Sequence, residues 1–131
     1  MDIRQLNFWA ILAATVSAFV VGGLWYSVLF GKAWERANGF KDPPKGNGKT
    51  FAIAFVLILV MAFNLAMFLN DSKTNVSWGA TAGFLAGFGW IAMGIGVIAV
   101  FERKPLSYVL INGGYMTVAL VLMGAIIGLW R

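Results

Sequence analysis

The sequence predicts an all-α, polytopic membrane protein: four transmembrane helices in an up-down antiparallel bundle, with a short interfacial helix after the first span. Three observations predict it. All fifteen charged residues fall outside four windows, 5–31, 50–70, 74–101 and 105–130. Each window exceeds the roughly 20 residues that a helix needs to cross about 30 Å of hydrocarbon. The chain is 60% apolar and only 11% charged, with a mean hydropathy of +0.81, too little charge to cover a water-facing surface. Backbone amides find no water inside a bilayer, so apolar runs of this length fold as helices, whereas a barrel strand alternates over about 10 residues.

The chain reads as one integral membrane domain over 1–131, with spans at about 7–30, 50–69, 78–101 and 106–130. Asp2 and Arg4 precede an apolar run, and Val16-Ser17-Ala18 loosely suits a signal-peptide cleavage site. The run continues well past that site to Phe30 and ends in an aromatic belt and basic residues, which suits a retained span.

In "GGLWYSVLFGKAWERANGF", residues 22–40, hydrocarbon gives way to charge with aromatics on both sides of the change. Trp25 and Tyr26 mark headgroup depth, Gly31 permits a bend, and 32–38 continue as a short surface helix. On that helix Ala33, Trp34 and Ala37 share one side, with Lys32, Glu35 and Arg36 spread over the rest, and Gly39 is its cap. "KDPPKGNGK", residues 41–49, holds two prolines and two glycines and is an irregular tether. The other links, "NDSKTNVS" and "ERKPLS", are short, so sequential spans are expected to be antiparallel neighbours. Pro105 starts the fourth helix, where its missing N–H costs nothing.

Basic residues assign the sides. Lys32, Arg36, Lys41, Lys45, Lys49, Arg103 and Lys104 place seven on one face, against Arg4, Lys73 and Arg131 on the other. The positive-inside rule makes the first loop and 102–104 cytoplasmic and both termini periplasmic. Aromatics agree: Trp9, Trp78 and Trp130 fall at the outer ends of their windows, and Trp25, Tyr26, Trp34 and Tyr108 near the inner ends.

The composition also excludes chemistry. With no Cys and no His there is no disulfide, no thiol catalysis, no His-ligated haem and no Cys/His zinc site, and no cofactor is expected. The net charge of +5 and pI near 9.9 sit in short loops beside the spans, where Lys32, Arg36, Arg103 and Lys104 suit lipid headgroups rather than nucleic acid. No ionisable side chain lies within a span, which argues against a proton-coupled transporter. An enzyme using Glu35 or Glu102 as base is the weakest reading, because loop carboxylates beside cations are ordinarily ion pairs.

Packing and polar residues remain. On the third span Gly79, Gly83, Gly87, Trp90 and Gly94 fall within an arc of about 80°. This small-residue ridge serves packing inside one protomer or an oligomer contact. Gly124 and Gly128 repeat the spacing on the fourth span. Tyr108, Asn112 and Tyr115 share one face of that span; Thr15, Gly22 and Tyr26 share a face of the first. The two faces make a polar seam of Tyr26, Asn112 and Tyr115, read either as a solute site or as a satisfied hydrogen-bond cluster. Asn64, on the second span, is too far along the membrane normal to pair with Asn112.

"GGLWYSVLFGKAW" (22–34), "FERKPLSYVLINGGY" (101–115) and "LMGAIIGLW" (122–130) resemble the motifs of a widespread family of small bacterial four-helix membrane proteins known only as a domain of unknown function. The resemblance covers essentially the whole chain. It implies a bacterial inner-membrane location and supplies no reaction. Many such proteins carry His after the Tyr of Asn-x-Gly-Tyr, where this chain has Met116.

The expected function is a non-catalytic bundle that forms a homo-oligomer and binds or passes a small solute or lipid. The alternative is a membrane scaffold docking a partner or anionic lipid through its basic cytoplasmic face.

Cysteines introduced at Asn47 and Ser72 are expected to label from opposite sides of the membrane. Labelling of Asn47 by an impermeant maleimide outside intact cells overturns the orientation.

Overall fold

The computed structural model describes residues 5–41 and 46–130. Arg4, Pro43, Pro44, Lys45 and Arg131, used above for side assignment and the tether, lie outside the described residues. Five helices and no strand occur among those described: α1 (Phe8–Leu29), α2 (Gly31–Asn38), α3 (Gly48–Phe68), α4 (Val76–Phe101) and α5 (Leu106–Leu129). All but α2 are long and apolar enough to cross a bilayer, as in a multi-pass membrane protein. Their bounds differ from the expected spans by two residues or fewer.

Side chains cap three of the long helices. Asn7 Oδ1 accepts from the Trp9 and Ala10 amides, Asn47 Oδ1 from Thr50 N and Asn75 Oδ1 from Trp78 N. Each satisfies amides that a helix start otherwise leaves bare. Helix α2 ends at Gly39, which adopts φ +68° and closes the helix with its own amide on Arg36 O and that of Phe40 on Glu35 O.

Two stretches depart from α-geometry. Trp25–Leu29 ends α1 as a π-turn, and Gly87–Ala92 forms a second π-turn inside α4. A π-turn bonds i to i+5 and so shifts every later side chain around the axis.

Helix α5 is the hub. It touches α1, α2, α3 and α4, and 44% of its apolar window is buried, against 17% for α3 and for α4. Its closest partner is α4. A Cβ added at Gly79 would overlap the Gly124 carbonyl, one at Gly83 the Leu120 carbonyl, and one at Gly87 the Thr117 backbone. The reverse holds for Gly124 against Gly79 and for Gly128 against Asn75. The two glycine rows interdigitate, and the falling numbers on one side show the pair to be antiparallel. Such close backbone approach lets dispersion contacts do what hydrophobicity cannot between apolar helices in lipid. The ridge therefore faces inward, within one chain.

Two expectations are corrected here. Gly94 and Trp90 are not on the ridge: a Cβ at Gly94 meets nothing, and Trp90 is 76% exposed. The π-turn is the cause. After Gly79, Gly83 and Gly87 at intervals of four, the next inward residue is five further on, Ala92, which packs on Gly113. The second correction concerns α3 and α4. Despite the short loop 69–75, they have at most marginal contact. Helix α3 rests on α1, with Phe19 edge-on to Phe51 and Phe55 and with Phe8 stacked on Phe63. The glycine face of α4 meanwhile belongs to α5, and a lateral gap opens between α3 and α4.

Gly83→Leu and Gly124→Leu are each expected to destabilise the fold by about 1–3 kcal/mol through overpacking, while Gly94→Leu leaves it unchanged. Thermal unfolding in detergent micelles checks this; equal midpoints for all three would place the ridge on the outside.

Candidate functional site

The π-turn at the end of α1 sets the polar seam. It swings Trp25 and Tyr26 toward α5, and its i+5 bond from Phe30 N to Trp25 O, 2.8 Å long, brings the chain into α2. Gly31 has to be small because a Cβ there would crowd the Tyr26 carbonyl at 2.9 Å.

Within the seam, the Tyr26 hydroxyl donates to Asn112 Oδ1 at 2.6 Å. The Asn112 amide nitrogen donates in turn to Tyr108 O at 3.0 Å, and the Tyr115 hydroxyl donates to Ala18 O at 2.8 Å. The Tyr26 and Tyr115 rings meet edge to face at 5.4 Å, and Trp34 of α2 closes over Tyr26 at 5.7 Å. The structure thus joins Tyr26, Asn112 and Tyr115 in one cluster whose polar groups partner one another or backbone. Gly22 makes room for the Tyr115 ring: a Cβ there would lie 3.0 Å from the hydroxyl. Thr15, on the same face of α1, is fully buried and donates to Ile11 O at 2.8 Å.

Trp25 is a member that sequence reading placed only at the interface. Its indole N–H donates to Ile111 O at 2.9 Å, and its ring lies over Gly114, where a Cβ would sit 3.0 Å from it. The available signal was Gly113-Gly114 before Tyr115, two small residues where one faces Ala92 and the other faces Trp25.

At the same end lie the basic residues. Lys32 and Arg36 are exposed on α2, which packs against α5 through its opposite side, where Ala37 is buried. Arg103 is exposed in the α4–α5 link and takes φ 57°, rare for a non-glycine residue. Lys104 lies over the Tyr108 ring at 5.5 Å, a cation–π contact.

The second candidate is the gap between α3 and α4. It is a groove of about 650 Å³, walled by Met61, Asn64 and Phe68 on one side and by Trp78, Leu85 and Trp90 on the other. Buried Ala82 and Leu120 form its back. The π-turn of α4 shapes the inner end by turning Gly89 and Trp90 outward as it turns Ala92 in. Asn64 is exposed to this space, and its amide has no hydrogen-bond partner among the described residues. Sequence reading singled out Asn64 but not the groove, because nothing in a linear pattern says that consecutive helices stand apart.

Among known proteins, a family model described as "Protein of unknown function (DUF1761)" matches residues 9–128. No curated protein and no solved structure matches the chain.

A double-mutant cycle of Tyr26→Phe and Asn112→Leu is expected to give a coupling of about 0.5–1.5 kcal/mol in unfolding free energy, the worth of one buried hydrogen bond. Strict additivity of the two single effects would show that the pair is not bonded in the folded protein.

Proposed function

We propose, for a chain that belongs to the family of proteins of unknown function matched over residues 9–128, a non-catalytic role. It is a four-span, up-down bundle of the bacterial cytoplasmic membrane that binds a lipid or lipid-soluble small molecule through its lateral groove. The groove carries this reading. Its volume lies within the about 300–1,000 Å³ of ligand-binding clefts, its lining is apolar, and it offers one unpaired amide to orient an occupant. The interior seam supports the reading by contrast. Its hydroxyls and amide are already hydrogen-bonded within the protein, so a solute passing there would have to break those bonds.

Both termini face the periplasm and the 31–49 segment the cytoplasm, which the basic residues and the antiparallel helix pairs support. Homo-oligomers form part of the proposal, and they use a surface other than the ridge, since Gly79, Gly83 and Gly87 are covered by α5. The scaffold reading keeps one observation in its favour. Lys32, Arg36 and Arg103 present exposed cations at one end of the bundle, two of them on a helix fixed by packing, which suits anionic headgroups.

A photoreactive fatty acid supplied in liposomes tests the groove. Adducts are expected to concentrate on Met61, Leu85 and Trp90. Equal labelling of Val28, Leu110 and Leu129, exposed elsewhere on the bundle, would show only annular lipid.

A further inference from the structure

Resting on the groove-binding reading, we infer that the occupant is a phospholipid, held with one acyl chain in the groove between α3 and α4, a glycerol ester carbonyl on the Asn64 amide, and its phosphate toward Lys73. Three features follow one another along the groove in the order of the groups along such a lipid. At the mouth, the loop 69–75 that joins the two walls carries Lys73, exposed and without an ion pair to any described residue. One turn in lies Asn64, four residues before the end of α3 and so about 6 Å below it. Beyond Asn64 the lining is hydrocarbon and aromatic, extending along α4 from Ala82 to Trp90, about 12 Å at helical rise.

The chemistry of each position narrows the occupant. A bare amide facing hydrocarbon costs kilocalories, so a ligand acceptor at that depth is favoured strongly. An alkane or a free acyl chain places no acceptor there when its headgroup sits at the mouth. An ester carbonyl one turn below a phosphate does. The cation at the mouth then meets an anion rather than a neutral headgroup. At Gly89 a Cβ meets no protein atom within 4 Å, so this groove-lining position has room for a larger side chain.

Native mass spectrometry of the full chain, extracted in mild detergent and titrated with phosphatidylglycerol or with diacylglycerol of the same chains, tests this. The wild type is expected to hold one phosphatidylglycerol per protomer. Lys73→Glu weakens phosphatidylglycerol about tenfold and leaves diacylglycerol unchanged. Asn64→Leu weakens both by about five- to tenfold. Gly89→Trp abolishes both while keeping the wild-type unfolding temperature, since its side chain enters open space. Phosphatidylglycerol binding that ignores Lys73→Glu and Asn64→Leu overturns the inference. If the groove takes the photoreactive fatty acid but no phospholipid, the inference fails and the groove reading stands. Loss of both signals sinks both. A disulfide between copies carrying Gly89→Cys would put a second chain in the groove and overturn the lipid assignment.

Discussion

The backbone contact between α4 and α5 is the constraint from which the rest of the arrangement follows. Gly79, Gly83, Gly124 and Gly128 bring two helices so close that an added Cβ on either would strike the other's carbonyl or α-carbon. Between apolar helices in lipid, area burial gives little preference for one neighbour over another, and the close fit of small residues supplies it. Once α5 is committed to α4 on one side, its Tyr108-Asn112-Tyr115 face is left for α1 and α2. Helix α3 packs chiefly on α1 and reaches α5 only slightly. The groove is the space this leaves beside α4.

The two π-turns reconcile demands that a regular helix cannot meet together. In α4, the extra residue lets the glycine face continue onto Gly113 through Ala92 while Gly89 and Trp90 turn to the groove. In α1, it lets Trp25 and Tyr26 both reach α5, one to Ile111 O and the other to Asn112, before the chain bends at Gly31. One turn lies beside the pair of Tyr26 with Asn112, and the other beside the groove that holds Asn64. π-turns recur at such positions because the freed backbone and shifted phase re-aim side chains.

The seam and the groove differ in one physical respect that assigns them different work. In the seam every hydroxyl and amide considered has its partner, and edge-to-face rings fill the space between them. Such a cluster fixes register between α1 and α5 and anchors α2, keeping Lys32 and Arg36 on a defined surface. In the groove the polar group lacks a partner and the space is open.

The sequence by itself determined the four apolar helices, their ends and the short α2. Fifteen charges gathered outside four long windows, together with Gly39 as the cap of α2, admit little else. It also determined that Tyr108, Asn112 and Tyr115 share one face of their helix, because i, i+4, i+7 spacing fixes a face without any knowledge of neighbours. Tertiary structure decided which neighbour each face meets. Gly94 and Trp90 fit the glycine arc at 100° per residue and left it because a π-turn, a response to packing that no local pattern encodes, added a residue to one turn. The separation of α3 from α4 has the same origin: loop length permits consecutive helices to touch, but whether they do depends on which pairs of faces fit best across the whole bundle, and the glycine rows fit better.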